Sequence, residues 1–256
     1  MSSKCGSGCV MSSMMKLVPF LGTIGLYFTL FIPEHIPSVW STVVKCLPIL
    51  SLALFVKLHK TADKRKSTFN QTIFFGLLFS CLGDACLVWP EYFLHGVIAF
   101  GAAQILFIRA FGLAPLHRGL GTVFLFIVGV VLFLIRPGVM AQPLPLATAV
   151  SLYSPLLLGR VWLAGSIFVK EGCSGWINFW GFIAPLSFMV SDSVLSINKF
   201  YSTIPYHQEI VMVTYYAAQF AVALTILGEL GNKNANASSS STPKNKNKSS
   251  GNKKKA

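Results

Sequence analysis

The 256-residue chain is 54% hydrophobic with only eight acidic side chains and a mean hydropathy of +0.64, which excludes a water-soluble domain, since one of this length needs far more surface charge. The net charge of +13 does not point to nucleic acid either: seven of the 21 basic residues are tail lysines between Lys233 and Lys255, and five more (Lys57, Lys60, Lys64, Arg65, Lys66) crowd one loop. Basic segments beside apolar runs report orientation in a bilayer or attraction to anionic lipid heads.

In chain order, apolar runs at 17–33, 40–57, 70–90, 91–112, 119–136, 144–166, 176–198 and 208–229 predict about eight transmembrane helices. The expected fold class is therefore an all-α polytopic membrane protein: a short N-terminal segment (1–16), a helical bundle (17–230) and a disordered basic tail (231–256). The first run follows Lys16 and lacks a small-residue cleavage site, so it reads as a retained span. Pro143, Pro145, Pro155 and Arg160 are expected to interrupt the sixth. Trp89, Trp176 and Trp180 suit belts at headgroup level.

With a cytosolic N-terminus, the cytosolic side holds Lys4, Lys16, the five-charge loop, Arg109, Arg118, Lys170 and the tail, leaving little beyond Arg136 and Lys199 opposite. An even number of spans then puts both termini in the cytosol. The tail is rich in Asn, Ser and Lys and cannot bury enough surface to fold. It ends "KKKA", with Lys253 and Lys254 placed as in a dilysine retrieval signal, so the endoplasmic reticulum membrane is the expected location. The Asn-x-Ser/Thr matches at Asn70, Asn236 and Asn247 face the cytosol in this topology, where glycosylation is not expected. Cys46, Cys81, Cys86 and Cys173 lie in or beside apolar runs and read as packing thiols; Cys5 and Cys9 are in the N-terminal segment, where acylation is conceivable.

Two carboxylates, Asp84 and Asp192, sit inside apolar spans, where an ionisable group costs several kcal/mol and is a functional-site hypothesis by default. Asp84 lies six residues before Pro90 and Asp192 seven before Lys199. At a rise of about 1.5 Å per residue both are expected roughly 9–11 Å below the luminal ends of parallel helices. Lys45, His95 and Tyr215 reach the same layer from spans running the other way. Helical spacing gathers Ser80, Asp84 and Glu91 on one face, Asp192, Ser196 and Lys199 on another, and Gln208, Met212, Tyr215 and Gln219 on a third. Together these would line a polar pocket open toward the lumen. The bland alternatives stay open: the aspartates as structural groups tied to Lys45 or to tyrosine hydroxyls, Lys45 snorkelling to the interface, His95 as an interfacial histidine, and the tyrosines as packing residues.

The strings "KLVPF" (16–20), "KCLPI" (45–49), "GDACLVW" with "YFLHG" (83–96), "AFG" (110–112), "SDSVLSINKF" (191–200) and "TYYAAQ" (214–219) together resemble the lysoplasmalogenase (YhhN-like) family of eight-span membrane hydrolases, animal type, in the family's order and over nearly the whole chain except the tail. The resemblance implies hydrolysis of the vinyl-ether bond of lysoplasmalogens, releasing a fatty aldehyde and glycerophosphoethanolamine or glycerophosphocholine, with no cofactor and no metal. The family's acidic positions fall on Asp84 and Asp192, and its Asn-Lys pair on Asn198 and Lys199. Where relatives often carry a histidine midway along the fourth span this chain has Gln104, so a histidine there is not an obligatory catalyst, or activity is altered.

A vinyl ether resists base and yields to acid. Protonating its β-carbon gives an oxocarbenium ion, which water captures to form a hemiacetal that collapses to aldehyde and alcohol. At neutral pH this needs one carboxylic acid kept protonated beside an ionised carboxylate, a division that burial and mutual repulsion produce in a close pair. Asp84 and Asp192 are the expected pair. Asn198, Tyr215 and Gln219 would orient water or the sn-2 hydroxyl, Lys199 would bind the phosphate, Lys45 would hold one aspartate ionised, and a Phe- and Leu-lined slot would take the chain. Intramembrane acids also suit a proton- or cation-coupled transporter, and "GDACL" and "SDSVL", four spans apart, faintly suggest a duplication. A metal-dependent lipid amidase using His95, His207 and an aspartate has no close-spaced histidine pair behind it.

Overall fold

The apolar runs are helices throughout the computed structural model, which describes residues 15–33, 37–59, 61–113, 115–172 and 175–228. The helices are α1 (Val18–Leu30), α2 (Val39–Leu58), α3 (Lys64–Leu87), α4 (Phe93–Phe111), α5 (Arg118–Met140), α6 (Leu144–Glu171), α7 (Trp176–Phe200) and α8 (His207–Leu224), with single 3₁₀ turns at Pro90–Tyr92 and Thr225–Leu227. No strand occurs among the described residues. Seven of the helices are long and apolar enough to cross a membrane. The exception is α1, whose 13 residues reach only roughly 20 Å against a hydrocarbon core of about 30 Å. The chain is a multi-pass membrane protein. The tail 231–256 with its "KKKA" end, Asn236, Asn247, Cys5, Cys9, Cys173, Lys4 and Lys60 lie outside the described residues.

Local chemistry sets the ends of the helices. Ser38 and Ser41 cap α2 reciprocally: the Ser41 N–H donates to Ser38 Oγ at 3.0 Å and the Ser38 N–H to Ser41 Oγ at 3.1 Å. The third helix starts at Lys64, six residues earlier than the apolar pattern indicates, so Lys64, Arg65 and Lys66 occupy a first turn that disfavours cations. Asp63 offsets this by accepting the Arg65 N–H at 2.8 Å. Gly112 and Gly172, at φ 77° and 78°, close α4 and α6 in a region that favours glycine. The expected break in the sixth span does not occur. Pro143 precedes α6 and Pro145 sits in its first turn, where the missing N–H is harmless, and the helix continues for 28 residues through Pro155 and a buried Arg160.

Neighbour packing joins α2, α3, α4, α6, α7 and α8 into a closed ring, with α1 against α2 and α5 against α6 and α7. Among the seven long helices α8 is the most buried, with 67% of its apolar stretch covered, and α5 the least, with 22%. Beside Asp84, α3 and α4 approach closely: a Cβ on Gly96 would lie 3.3 Å from the Gly83 carbonyl oxygen, and one on Gly83 would meet the Phe100 ring at 2.6 Å. Basic residues gather at the end where α2 passes into α3. There burial, and then the Lys66 and Lys16 charges, push His59 below the ordinary imidazole range.

Candidate functional site

At the opposite end of the bundle a cavity of about 250 Å³ opens between α2, α3, α4, α7 and α8. Its polar lining includes Lys45, Asp84, Asp192, Asn198, Lys199 and Tyr215. Six side chains singled out in the sequence thus come together from four helices. Asp84 is 2% exposed, Tyr215 4% and Lys45 8%, whereas Lys199 is exposed at the mouth. The charges are therefore graded, with Asp84 and Lys45 buried, Asp192 half-buried and Lys199 at the rim.

Each carboxylate is held by a tyrosine of another helix. The Tyr215 hydroxyl on α8 donates to Asp84 Oδ2 at 2.6 Å, and the Tyr153 hydroxyl on α6 donates to Asp192 Oδ2. The Tyr215 ring is itself fixed edge-on against Phe100 and Phe188, with centroids 5.9 and 5.6 Å away. Next to it, the Tyr216 hydroxyl donates to the Lys45 carbonyl at 2.9 Å and ties α8 to α2. The Ser191 hydroxyl donates to the Val211 carbonyl at 3.1 Å and ties α7 to α8. Lys199 Nζ lies 4.3 Å from the Phe93 ring centroid. Asn198 Oδ1 accepts the Ile204 N–H at 2.9 Å, so its carbonyl end fixes the loop after α7.

A second, mostly apolar pocket of about 70 Å³ adjoins the first among α4, α5, α6 and α7. Asp192, Leu87, Phe93, Phe100 and Leu195 belong to both linings, and Val128, Val131, Leu132 and Ile135 of lipid-facing α5 form the far wall. Asp192 thus stands where a polar chamber meets an apolar slot.

Several expectations need correction. His95 is exposed and packs edge-on against Tyr92, with centroids 5.7 Å apart, and is not on the cavity wall. Phe93 and Phe100 face the cavity, and two residues from Phe93 carry the chain about 200° around the helix, which turns His95 away. Gln219 is fully buried beyond Tyr215, off the cavity wall, and neither of its amide atoms makes a hydrogen bond of ordinary geometry. Glu91 is not on the Asp84 face, because α3 stops at Leu87 and Glu91 falls in the 3₁₀ turn begun by Pro90. That early stop also leaves Asp84 nearer the end of its helix than Asp192 is to the end of α7 at Phe200. Of the three tryptophans assigned to the belt, Trp180 packs inward against Phe220, with its Nε1 buried and unpartnered. Among the described residues no three His, Cys, Asp or Glu side chains gather as metal ligands, so the amidase constellation does not form there.

Two residues of this region are not among the site residues expected from the sequence: Tyr153, and Arg160, which the apolar pattern shows only as an interruption. Arg160 is buried between the Phe107 and Phe188 rings, 4.3 and 5.8 Å from their centroids. The rule that singles out the aspartates, an ionisable group inside a span, applies to it as well. Tyr153 lies seven residues earlier, two turns along the same face of α6.

The profile of the YhhN family matches residues 40–226. The chain is 38% identical over 212 residues to lysoplasmalogenase TMEM86B of Sus scrofa, across 82% of this chain and 85% of that protein. It is 34% identical over 213 residues to lysoplasmalogenase TMEM86A of Homo sapiens, across 82% and 88%. No solved structure matches it. With the family profile spanning most of the chain and both relatives covered nearly end to end, this protein belongs to the YhhN family.

Proposed function

We propose that the protein is a lysoplasmalogenase, a hydrolase of the vinyl-ether bond of alkenyl-glycerophosphoethanolamine or alkenyl-glycerophosphocholine. One observation carries the reading beyond the relatives' names: two tyrosine-held carboxylates share a chamber that has a lysine at its mouth and passes at Asp192 into an apolar slot. That arrangement suits an amphiphile with one chain. The phosphate lies toward Lys199, the glycerol in the polar chamber, the enol ether beside Asp84 and Asp192, and the first carbons of the chain against Phe100 and the α5 wall.

In this reading one aspartic acid delivers its proton to the β-carbon of the enol ether. The resulting oxocarbenium ion is stabilised by the other, ionised, carboxylate, which then accepts a proton from the water that attacks the α-carbon. The hemiacetal releases aldehyde and glycerol hydroxyl, and the proton returns to the first aspartate. Lys45 balances the charge of the carboxylate pair. Residues 17–230 form the catalytic bundle, and the basic loops support placing the α2–α3 end of the bundle and the lysine-rich tail on the cytosolic side of an endoplasmic reticulum membrane.

The test is product release from detergent-solubilised protein given alkenyl- and acyl-lysolipids of matched headgroup, with fatty aldehyde measured from the first and fatty acid from the second. Turnover of the alkenyl lipid alone is expected. Equal turnover of both would make the protein a general lysophospholipase, and solute movement across sealed vesicles without lipid consumption would make it a transporter.

A further inference from the structure

Behind Asp192 stands a file of three side chains from α4 and α6, and every hydrogen bond in it points the same way. Arg160 Nη1 donates to Gln104 Oε1. Gln104 Nε2 donates to the Tyr153 hydroxyl oxygen at 3.5 Å. The Tyr153 hydroxyl donates to Asp192 Oδ2. The direction follows from chemistry, because a guanidinium has donors only and therefore turns the Gln104 carbonyl toward itself and the amide NH₂ away. Receiving that NH₂, the phenol oxygen is left with its own proton to give, and Asp192 is the acceptor.

The burial of the file points to a role beyond packing. Gln104 is fully buried and Arg160 is 4% exposed. A cation in the interior of a membrane bundle is costly, and the aromatic faces of Phe107 and Phe188 offset part of that cost. Arg160 Nη2 has no hydrogen-bond partner, so the guanidinium is not using its full capacity to tie helices together.

We infer that Arg160, Gln104 and Tyr153 are positioning residues that hold Asp192 at the junction of the two pockets and keep its second oxygen turned toward the substrate; this rests on the lysoplasmalogenase reading. The file orients and polarises and does not conduct protons, because the amide in its middle neither ionises nor takes up a proton near neutral pH. Its loss lets the Asp192 side chain rotate among rotamers, which lowers the fraction of bound substrate in reactive geometry and leaves substrate binding unchanged.

The experiment compares purified Gln104→Leu, Gln104→His and Tyr153→Phe with the unaltered protein, with kcat and KM for an alkenyl-lysophosphatidylethanolamine and a melting temperature for each. Histidine can accept at one ring nitrogen and donate from the other, which reproduces the polarity of the amide. Gln104→Leu and Tyr153→Phe are expected to lose about tenfold or more in kcat, the scale of one charge-assisted hydrogen bond, with KM within about twofold. Gln104→His is expected to recover most of kcat. Should Gln104→Leu fail to fold, Gln104→Glu replaces it: nearly isosteric, it keeps an acceptor for Arg160 and lacks the donor to Tyr153, so it too should lose kcat. Normal kcat in Gln104→Leu or Gln104→Glu, equal losses in Gln104→Leu and Gln104→His, or a loss confined to KM would overturn the positioning role while leaving the lysoplasmalogenase reading intact. No turnover by the unaltered protein would overturn both.

Discussion

The Tyr215 hydroxyl reaches from α8 to Asp84 on α3 at 2.6 Å, and the two residues are 4% and 2% exposed. A carboxylate this deeply buried depends on its donor, since a charged group left unpaired in the interior pays its full desolvation penalty. Tyr215→Phe should therefore lower kcat by about tenfold or more and also lower the melting temperature in detergent, as loss of a hydrogen bond to a charged group is worth about 1.5–3 kcal/mol. Unchanged melting and unchanged kcat would show that this contact is incidental.

Asp84→Asn and Asp192→Asn keep shape and remove the acid or base. Each should reduce aldehyde release by about 10²- to 10⁴-fold, the usual contribution of a positioned acid or base, while the protein remains membrane-inserted. Full activity in either purified variant would end the paired-carboxylate mechanism.

Lys199 is exposed at the cavity mouth with its ammonium over Phe93, and its part is to hold the phosphate. An exposed charge is screened, so Lys199→Ala should raise KM by only about two- to fivefold, and added salt should shrink the difference. A large fall in kcat at constant KM would place the lysine at the reacting atoms instead.

His95→Ala should retain kcat and KM within about twofold, because the ring lies outside both pockets and surface changes of this kind are usually near neutral. Abolished turnover with normal melting would return the histidine to the site.

Gly83→Val places a branched side chain where α3 and α4 meet the Phe100 ring. Overpacking of this kind costs about 1–3 kcal/mol. Because Phe100 lines both pockets, the melting temperature and kcat/KM are expected to fall together. A melting temperature equal to that of the unaltered protein would mean the interface relaxes freely.

Eight apolar runs are legible in the sequence, and seven of them form helices long enough to span, because lipid imposes a strict rule: a spanning segment must be long, apolar and satisfied within its own backbone. The same rule makes Asp84, Asp192 and Lys45 conspicuous in the bare string of residues, since an ionisable group in an apolar run is expensive wherever its helix packs. Helix ends are less legible. The start of α3 at Lys64 depends on the Asp63 cap, and its stop at Leu87 on the turn into Pro90, neither of which alters the hydropathy pattern.

Which faces meet is settled by the packing of the bundle. One helical face can be drawn through Tyr215 and Gln219, yet only Tyr215 reaches the cavity, while Gln219 is fully buried away from it. Read along the chain, Tyr153, Gln104 and Arg160 are an unremarked tyrosine, a departure from the family and a supposed break, and only the packing of α4 against α6 makes them one file behind Asp192. Periodicity records the angle of a side chain about its own axis. Which neighbour that side chain faces depends on the rotation and depth of every other helix, and that information is spread over the whole bundle.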